Sequence, residues 1–487
     1  RHLVQLVLVE SAILAFLASA IGALFAWWAA PFVVSTINPS DNPVRLALPA
    51  DWRVLLFGVA LTLAVTCLFG LIPALRASAI QPASALKGGA GGSKDPHTRR
   101  RLMYALIAAQ VAFCCLVLFV AGLFVATFQH LSNQPTGFST DRLLVLDTVS
   151  HDPVSPVVWL QLADQLRSIP GVERVSVSNR TLLDHWSNNN SISLDGAALS
   201  PTLGYFLNVS PGWLETMKIP LVDGRDFLPT DTTPGAAIVN QTFVNVFFNG
   251  ENPVGKSFYE LFAYGERAHY QIVGVVRDAR YQDIREKALP VAYLPFLSTA
   301  ADPWWSHGGA TLLVRTTAAN PLALASTLRQ AVPQFRAEFR VSNIRAQKGI
   351  IQAQTVRERL LATLASFFSV VALLLAGVGL YGVLHYSVQQ RRREIAIRMA
   401  VGAQSHSIAR LVTLPLFATV AAGAAAGLAA GQLSAHYLTD LFYQVQPTDA
   451  PMLLLPPIAI AASAAAAAIP SILRAIHTNP ATTLRSE

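Results

Sequence analysis

The chain has 487 residues, of which 53% are hydrophobic and only 13% are charged, with a formal net charge of +8. Soluble domains carry about a quarter of charged residues, so this composition excludes an ordinary soluble globule. The basic residues cluster beside apolar runs and do not form a patch interleaved with aromatic side chains, so we expect no binding of nucleic acid.

Six apolar runs are long enough to cross about 30 Å of hydrocarbon as helices. Inside a bilayer, backbone amides and carbonyls have to bond within their own segment, so we predict that all six runs are helical. The six predicted spans cover residues 4–30, 54–75, 102–127, 360–385, 411–431 and 453–470.

Lysine and arginine set the predicted orientation, because they are enriched in short cytoplasmic connections. Two connections are basic, so we place both in the cytoplasm, and the long segment between the third and fourth spans then falls outside. The lipid bilayer is therefore the solvent of the helical part. The basic residues are Arg76, Lys87, Lys94, Arg99, Arg100 and Arg101 in the first connection and Arg391, Arg392, Arg393 and Arg398 in the second.

The external segment of some 230 residues is too long for a loop and is predicted to be a folded α+β domain. Residues 157–169 have helical spacing and stop at Pro170-Gly171, after which residues 172–178 alternate as a strand does. Further strands are predicted at residues 270–276, 291–294 and 311–315, and a further helix at residues 321–332.

Residues 250–257 match the nucleotide-binding pattern G-x-x-x-x-G-K-S at every fixed position. A phosphate cradle needs a buried strand before this loop and a helix directly after it. Here residues 241–248 have the pattern of a helix, the residues from Phe258 onward have the pattern of a strand, and Pro253 lacks an amide proton. We therefore predict a tight turn.

A short basic amphipathic helix is predicted where the fourth span reaches the cytoplasm. Glu394 and Arg398 are spaced to form an ion pair, Ile395 and Met399 share one apolar stripe, and Gly402 suits a C-terminal cap. Two interpretations stay open, a juxtamembrane anchor on anionic lipid and a knob that docks into a partner. The candidate coupling residues are Arg391, Arg392, Arg393, Glu394, Ile395, Ile397, Arg398, Met399 and Gly402.

The fifth span carries Gly423, Gly427 and Gly431 at fourfold spacing, which is typical of helices that approach closely in a membrane. We predict a packing role for these three glycines. The sequence contains no H-E-x-x-H or paired CxxC motif, and no charged residue lies at the centre of a span. We therefore predict no catalytic site, no metal, no cofactor and no buried proton relay.

An internal repeat links the two ends of the chain. Each copy follows a pair of apolar spans, so residues 1–88 and 405–487 are predicted to be equivalent ends of a duplicated module; a chance match of two membrane-exit motifs is the alternative. The first copy is Ile72-Pro73, Arg76-Ala77, Pro82-Ala83 and Leu86-Lys87, and the second is Ile469-Pro470, Arg474-Ala475, Pro480-Ala481 and Leu484-Arg485.

Residues 391–403 resemble the signature of the FtsX-like permease domain, and the external segment resembles the MacB-type periplasmic core domain. The second resemblance rests on residues 209–212, 224–227, 238–243, 252–256 and 273–278. It implies a multi-span α-helical membrane protein of about six transmembrane helices with a large α+β extracytoplasmic domain, in the bacterial inner membrane. The implied organisation is the last two spans of a first permease module (1–88), a basic linker (89–101), a transmembrane helix (102–128), the core domain (129–358) and an FtsX-like permease domain (359–487).

The resemblance also implies a function, that of the permease subunit of a type VII ABC transporter. A separate cytoplasmic ATPase would push on the helix at residues 391–402, and the fourth span would carry the motion to the external domain for efflux or for extraction of lipoproteins or lipids. A periplasmic adaptor or an outer-membrane duct and a dimeric or pseudo-dimeric permease are further implied partners. The alternative is a non-transporting regulator that activates a periplasmic enzyme. The comparison with the double permeases further implies an upstream first half that these 487 residues do not include.

Overall fold

The computed structural model describes residues 2–37, 52–66, 96–194, 198–262, 266–299, 309–401 and 404–476. The chain divides into two compact units. One, the helical unit, holds the residues up to 128 and those from 358 onward, and the other, the α+β domain, holds residues 129–357.

Twelve α-helices and eleven strands occur within the described residues. The helices are α1 (His2–Ile37), α2 (Trp52–Thr66), α3 (Pro96–Ser132), α4 (Pro156–Arg167), α5 (Trp213–Met217), α6 (Gln241–Phe247), α7 (Ala325–Phe335), α8 (Gln347–Gln354), α9 (Val356–Gln390), α10 (Arg392–Ala400), α11 (Ser405–Tyr437) and α12 (Ala450–Ile476). The strands are β1 (Leu143–Val149), β2 (Val172–Ser178), β3 (Asn189–Leu194), β4 (Leu203–Val209), β5 (Leu221–Gly224), β6 (Ala236–Asn240), β7 (Ser257–Leu261), β8 (Arg267–Val276), β9 (Val291–Pro295), β10 (Gly309–Thr316) and β11 (Arg340–Ala346).

Five helices of the described part are long and apolar enough to cross a membrane, namely α1, α3, α9, α11 and α12. The predicted second span begins with α2, and its residues 67–75 lie outside the described residues. Each of the five helices extends beyond its predicted apolar run. Thus α3 begins at Pro96 inside the predicted linker, since proline is favoured at the first helical position and Arg99 to Arg101 propagate the helix.

Four of these helices share one apolar core. Side chains of α3, α9, α11 and α12 form a single buried cluster, in which every helix contributes three or more residues. These residues are Ile107, Val111, Cys114 and Cys115 on α3, Ala376, Leu380, Leu384 and Val388 on α9, Leu416, Val420 and Ala424 on α11, and Ile460, Ala464 and Ala468 on α12. The four helices therefore pack as one bundle.

The first half of the α+β domain is an antiparallel sheet in the order β11-β1-β10-β2. One face of this sheet is covered by α4 and α7, whose Trp159, Leu162 and Leu328 are fully buried against it. The Trp159 and Phe339 rings stack with centroids 4.4 Å apart. The other face carries polar residues of the same strands, Asp147 among them.

The second half of the α+β domain is a closed ring of six strands. The pairings run β4-β3-β7-β8-β6-β9 and return from β9 to β4, so each of these strands has two neighbours, while β5 pairs with β8 outside the ring. The interior is filled by apolar side chains, Phe206, Phe258 and Tyr270 among them. Closure of this kind removes free strand edges.

The predicted α+β class is confirmed, and its predicted strands and helices lie where the sequence pattern put them. The strand at residues 172–178 is β2, and the predicted helix at 321–332 is a 3-10 turn at Pro321–Leu324 followed by α7. Two of the family-like motifs meet at one helix start. Asn240 caps α6 through Phe243 N (2.9 Å), and the Asp278 carboxylate accepts from Thr242 N (2.8 Å) and Thr242 Oγ1 (2.9 Å).

The pattern at residues 250–257 forms a tight turn between α6 and β7, as predicted, and is not a phosphate cradle. Five of its backbone amides already donate within the domain, so they are not available to an anion. The amides of Gly250, Glu251, Val254, Gly255 and Lys256 bond to Val244 O (3.2 Å), Phe248 O (2.9 Å), Asn252 Oδ1 (3.0 Å), Ile272 O (2.8 Å) and Pro253 O (2.9 Å), respectively.

A carboxyl group inside the strand ring predicts that the stability of the α+β domain depends on pH. Glu260 on β7 is fully buried and accepts from Asn190 Nδ2 (2.7 Å) and Tyr270 Oη (3.1 Å). Burial raises the pKa of Glu260 to about 7, and the two hydrogen bonds only partly oppose this. The neutral form is therefore the stable form in the folded domain, and its stabilisation is lost as the pH rises from the unfolded value of about 4.5 through 7.

Glu260→Gln should accordingly raise the unfolding temperature of the domain by about 5 °C or more at pH 8 and change it little at pH 5. Glutamine keeps the shape and can accept from Asn190 while donating to Tyr270. Hydrogen–deuterium exchange of peptides from β7 and β8 in the full-length chain measures the effect locally. The exposed Glu338→Gln is the matched control, and equal gains at both pH values would contradict the prediction.

Candidate coupling helix

The predicted basic helix is present as α10, and it follows α9 without a loop. Only Arg391 separates the two helices, and its amide bonds back to Ser387 O (3.3 Å) and Val388 O (3.2 Å) while its carbonyl accepts from Ile395 N (2.9 Å). The 35 residues of α9 span about 52 Å at 1.5 Å per residue, which exceeds the ~30 Å of hydrocarbon. A displacement of α10 therefore acts directly on a long helix.

One face of α10 is fixed in the bundle. Ile395 is 1% exposed and belongs to the buried cluster of α3, α9, α11 and α12, and Met399 packs against the same cluster one turn later. The stripe predicted from the i, i+4 spacing thus anchors the helix to its own chain. Because interiors are close-packed, α10 and the bundle are expected to move together.

The opposite face of α10 is more exposed than the face that contains Ile395. It carries Glu394, Ile397, Arg398 and Val401, the spacing of one helical stripe. Ile397 is 49% exposed and Val401 is 84% exposed, and they lie beside an ion pair between Glu394 Oε1 and Arg398 Nη2 of 2.8 Å. We call these four residues the outward face.

An apolar stripe flanked by a single ion pair has the composition of a small docking surface. The ion pair itself is solvent-exposed and contributes only about 0.3–0.5 kcal/mol to the helix. Its residues are therefore available for contacts with another molecule at little cost to the fold.

The three spaced glycines of α11 lie against α3. A Cβ built on Gly423 would be 2.7 Å from Ala108 O, and one on Gly431 would be 2.7 Å from the Phe119 ring. At Gly427 the obstacle is again a backbone carbonyl, that of Ala112, together with the Cys115 Cβ at 2.7 Å. The two helix backbones approach too closely for any larger residue.

The other predicted coupling residues are distributed as follows. Arg391 is half-buried at the junction, and Arg392 and Arg393 form the first turn of α10. Gly402, predicted as the cap, lies outside the described residues. The structure groups Ile395 with Met399 and Glu394 with Arg398, as the spacing predicted. Val401 was not predicted, although its spacing from Glu394 and Ile397 was a readable signal.

Two family models match the chain. The model of the FtsX-like permease C-terminal domain matches residues 1–82 and 366–482, and that of the MacB-like periplasmic core domain matches residues 105–332. The first match includes α10, and the second covers most of the α+β domain.

Two curated relatives are similar to part of the chain, at 23% and 26% identity. The macrolide export ATP-binding/permease protein MacB of Marinobacter nauticus is 23% identical over 270 residues, which are 55% of this chain and 41% of that protein. The pyoverdine export ATP-binding/permease protein PvdT of Pseudomonas entomophila is 26% identical over 199 residues, which are 39% of this chain and 29% of that protein. The chain thus spans less than half the length of these relatives.

Solved structures are similar over part of the chain. The periplasmic region of MacB from Actinobacillus actinomycetemcomitans aligns with a TM-score of 0.31 at 14% identity, covering 45% of this chain and 94% of that one. The extracellular domain of the noncanonic ABC-type transporter YknZ from Gram-positive bacteria aligns with a TM-score of 0.27 at 16% identity, covering 41% of this chain and all of the other.

Proposed function

Since the chain belongs to the MacB/FtsX-like permease family of ABC transporters, we propose that it transmits ATP-driven motion from the cytoplasm to an extracytoplasmic domain. It is an inner-membrane protein, and the α+β domain is its extracytoplasmic part. In this proposal the chain crosses the membrane six times, with α10 in the cytoplasm. The ATP is hydrolysed by an ABC ATPase that docks on the outward face of α10.

The observation that carries the proposal is that one face of α10 is buried in the bundle and the other is exposed. The inward face, Ile395 and Met399, joins the helix to the bundle, while the outward face, which includes Ile397 and Val401, offers apolar surface to a partner. A helix that is held on one side and free on the other can receive a force without detaching. In addition, the chain passes from α8 through Thr355 directly into α9, so no flexible linker interrupts the path along the chain.

The ATPase is proposed to be a partner chain. The curated relatives are named ATP-binding/permease proteins, so their names assign ATP binding and the permease function to one protein. The only nucleotide-binding pattern found in the sequence is the turn at residues 250–257, whose amides are already bonded. We therefore assign ATP hydrolysis to a subunit outside the 487 residues of this sequence.

Two further parts of the proposal rest on the family matches. The same permease model matches residues 1–82 and 366–482, which supports a duplicated module and hence a pseudo-dimeric permease. The first copy of the repeat motif lies outside the described residues, and part of the second lies on α12. Because the relatives are named as exporters, we propose efflux as the work done, with an adaptor or an outer-membrane duct as the external partner.

Ile397→Asp should abolish the docking of the ATPase. A carboxylate buried in an apolar contact costs more than the ~1.4 kcal/mol that corresponds to a tenfold loss of affinity. When the tagged chain is purified from its native membrane, we expect the variant to bring with it at least tenfold less ABC ATPase protein than the wild type does. The ATPase activity of the purified sample should fall by the same factor. Tryptic protection of the variant should match that of wild type.

Val222→Asp is the matched control for this experiment. Val222 on β5 is 50% exposed against 49% for Ile397, so the two substitutions place the same charge at equal exposure, one in each unit. Undiminished recovery of the ATPase with Ile397→Asp would contradict the proposal. Recovery of an envelope hydrolase instead of an adaptor or a duct would favour the regulator over the exporter.

A further inference from the structure

A polar pocket of about 590 Å³ lies in the first half of the α+β domain. Its floor is a row of polar residues across the sheet, in which Asp147 on β1 pairs with Thr311 on β10 and with Asn343 on β11. Where β1 pairs with β11, Ser342 of β11 is an extra residue between the partners of Asp147 and Thr148, and such bulges are frequent next to binding sites. This face lies opposite to the one covered by α4 and α7.

The charges of the pocket cancel. Arg345 binds Asp147 Oδ2 through Nη2 at 2.8 Å and Asp184 Oδ1 through Nη1 at 3.2 Å, so both carboxylates share one cationic partner. The remaining charged residue of the lining is Arg180, whose guanidinium lies 5.6 Å from the centre of the Trp186 ring. Two carboxylates and two guanidinium groups give no net charge, which disfavours an anion as well as a simple cation.

One buried polar group in the lining lacks a partner among the described residues. Asn179 is 8% exposed, and while its Oδ1 accepts from Asn208 N (3.2 Å), its Nδ2 donates to none of them. A buried donor of this kind is costly unless a ligand or water satisfies it, so Asn179 points to a hydrogen-bonding occupant.

Trp186 adds an apolar surface to this polar lining. The loop that carries it includes Leu183 and His185, both in the left-handed region with φ of 63° and 56°, and it is held because the Leu183 side chain is fully buried. Backbone strain of this kind persists where the surrounding structure fixes it, often at ligand sites. The half-buried indole can pack against a flat apolar face of a ligand.

We propose that this pocket binds a neutral polyhydroxylated ligand, a glycan of one or two sugar units. Vicinal hydroxyls both donate and accept, as the planar Asp147, Asn343 and Asn179 groups require, and the apolar face of a pyranose ring fits an indole. A volume of about 590 Å³ lies in the range of small-ligand sites. The inference does not depend on whether the chain exports or regulates.

The test is saturation-transfer NMR and calorimetry on the full-length chain with maltose and N,N′-diacetylchitobiose. The protein is kept in an amine-oxide detergent, because a detergent with a sugar headgroup would compete for the site. We expect at least one of the two disaccharides to bind, and Trp186→Ala and Asp184→Asn each to weaken binding at least tenfold. Tyr259→Ala, a half-buried aromatic of the strand ring, should leave binding unchanged.

Folding and alternative ligands are separated by further measurements. If Trp186→Ala lowers the unfolding temperature, Trp186→Phe keeps an aromatic ring in the pocket and should retain most of the affinity. Glycylglycine serves as a zwitterionic probe of similar polarity. Absence of binding by both disaccharides, binding that is indifferent to Trp186→Ala and Asp184→Asn, or binding of glycylglycine alone would each overturn the proposal.

Discussion

Gly427→Leu should prevent the helical unit from folding. The new side chain would run into the carbonyl of Ala112 and the Cβ of Cys115 on α3, and a backbone carbonyl cannot rotate away as a side-chain end can. Overpacking usually costs about 1–3 kcal/mol, but here the two helices would have to separate along their contact, so we expect a larger loss. Yield of monodisperse protein in detergent and the unfolding temperature measure it, with a fall of at least about 10 °C in any variant that survives.

Gly382→Leu is the control for that substitution. Gly382 lies on α9, and a Cβ there meets no atom within 4 Å, so leucine should be accepted at this membrane-buried position. Gly423→Leu should behave like Gly427→Leu, because Gly423 faces the Ala108 carbonyl at 2.7 Å. Equal stability of the Gly427 and Gly382 variants would show that the close approach of α11 to α3 is not needed.

Arg315→Leu should destabilise the α+β domain by about 3 kcal/mol. Arg315 on β10 is fully buried and donates from Nε to Thr216 O (2.8 Å), from Nη1 to Asp141 O (2.7 Å) and from Nη2 to Ser139 O (3.2 Å). Through these hydrogen bonds Arg315 connects the segment before β1 and the end of α5 to the sheet. Leucine has no hydrogen-bond donor, so all three carbonyl oxygens lose the donor that Arg315 supplies. Thermal unfolding of the full-length chain, followed by exchange of β10 peptides, measures the loss.

Arg336→Leu provides the comparison. Arg336 belongs to the same domain but forms an exposed ion pair of 2.9 Å with Glu338, and such pairs contribute less than about 1 kcal/mol. Arg315→Lys should rescue little, because a single ammonium group cannot reach three carbonyls in the geometry of the guanidinium fork. An Arg315→Leu variant as stable as Arg336→Leu would refute the role of this side chain.

Regular elements of this chain could be predicted because their signals are local. The apolar runs of α3, α9 and α11 follow from composition alone, and β2 follows from the alternation after Pro170-Gly171. The turn at residues 250–257 was also predictable, since the helix before it and the strand after it are wrong for a phosphate loop. In each case the deciding residues lie within a few positions of one another.

The polar groups that matter most in the α+β domain could not be placed in this way. Asp147, Glu260 and Arg315 are each the one charged residue of their strand, which was the only available signal. Their partners are distant in sequence: Arg345 for Asp147 and the carbonyl of Thr216 for Arg315. Strand pairing brings these groups together, and register across a sheet is not readable from one strand. The pocket at Trp186 was missed for the same reason.

The two faces of α10 illustrate the same limit. Helical spacing predicted that Ile395 and Met399 form a stripe, but it could not say whether that stripe meets a partner or the chain's own bundle. The structure places Ile395 inside the bundle and leaves Ile397 half exposed and Val401 largely exposed. Variants aimed at the ATPase should therefore alter the outward face, whereas Ile395 variants would test stability.

Site-directed labelling tests most directly whether the outward face and the α+β domain lie on opposite sides of the membrane. Single cysteines at Ile397 and Val222, in a chain whose Cys67, Cys114 and Cys115 are replaced by alanine, are exposed to a membrane-impermeant maleimide on intact spheroplasts. The account predicts that position 222 reacts at once and that position 397 reacts only after the membrane is permeabilised. Reaction of both positions from the same side would contradict it.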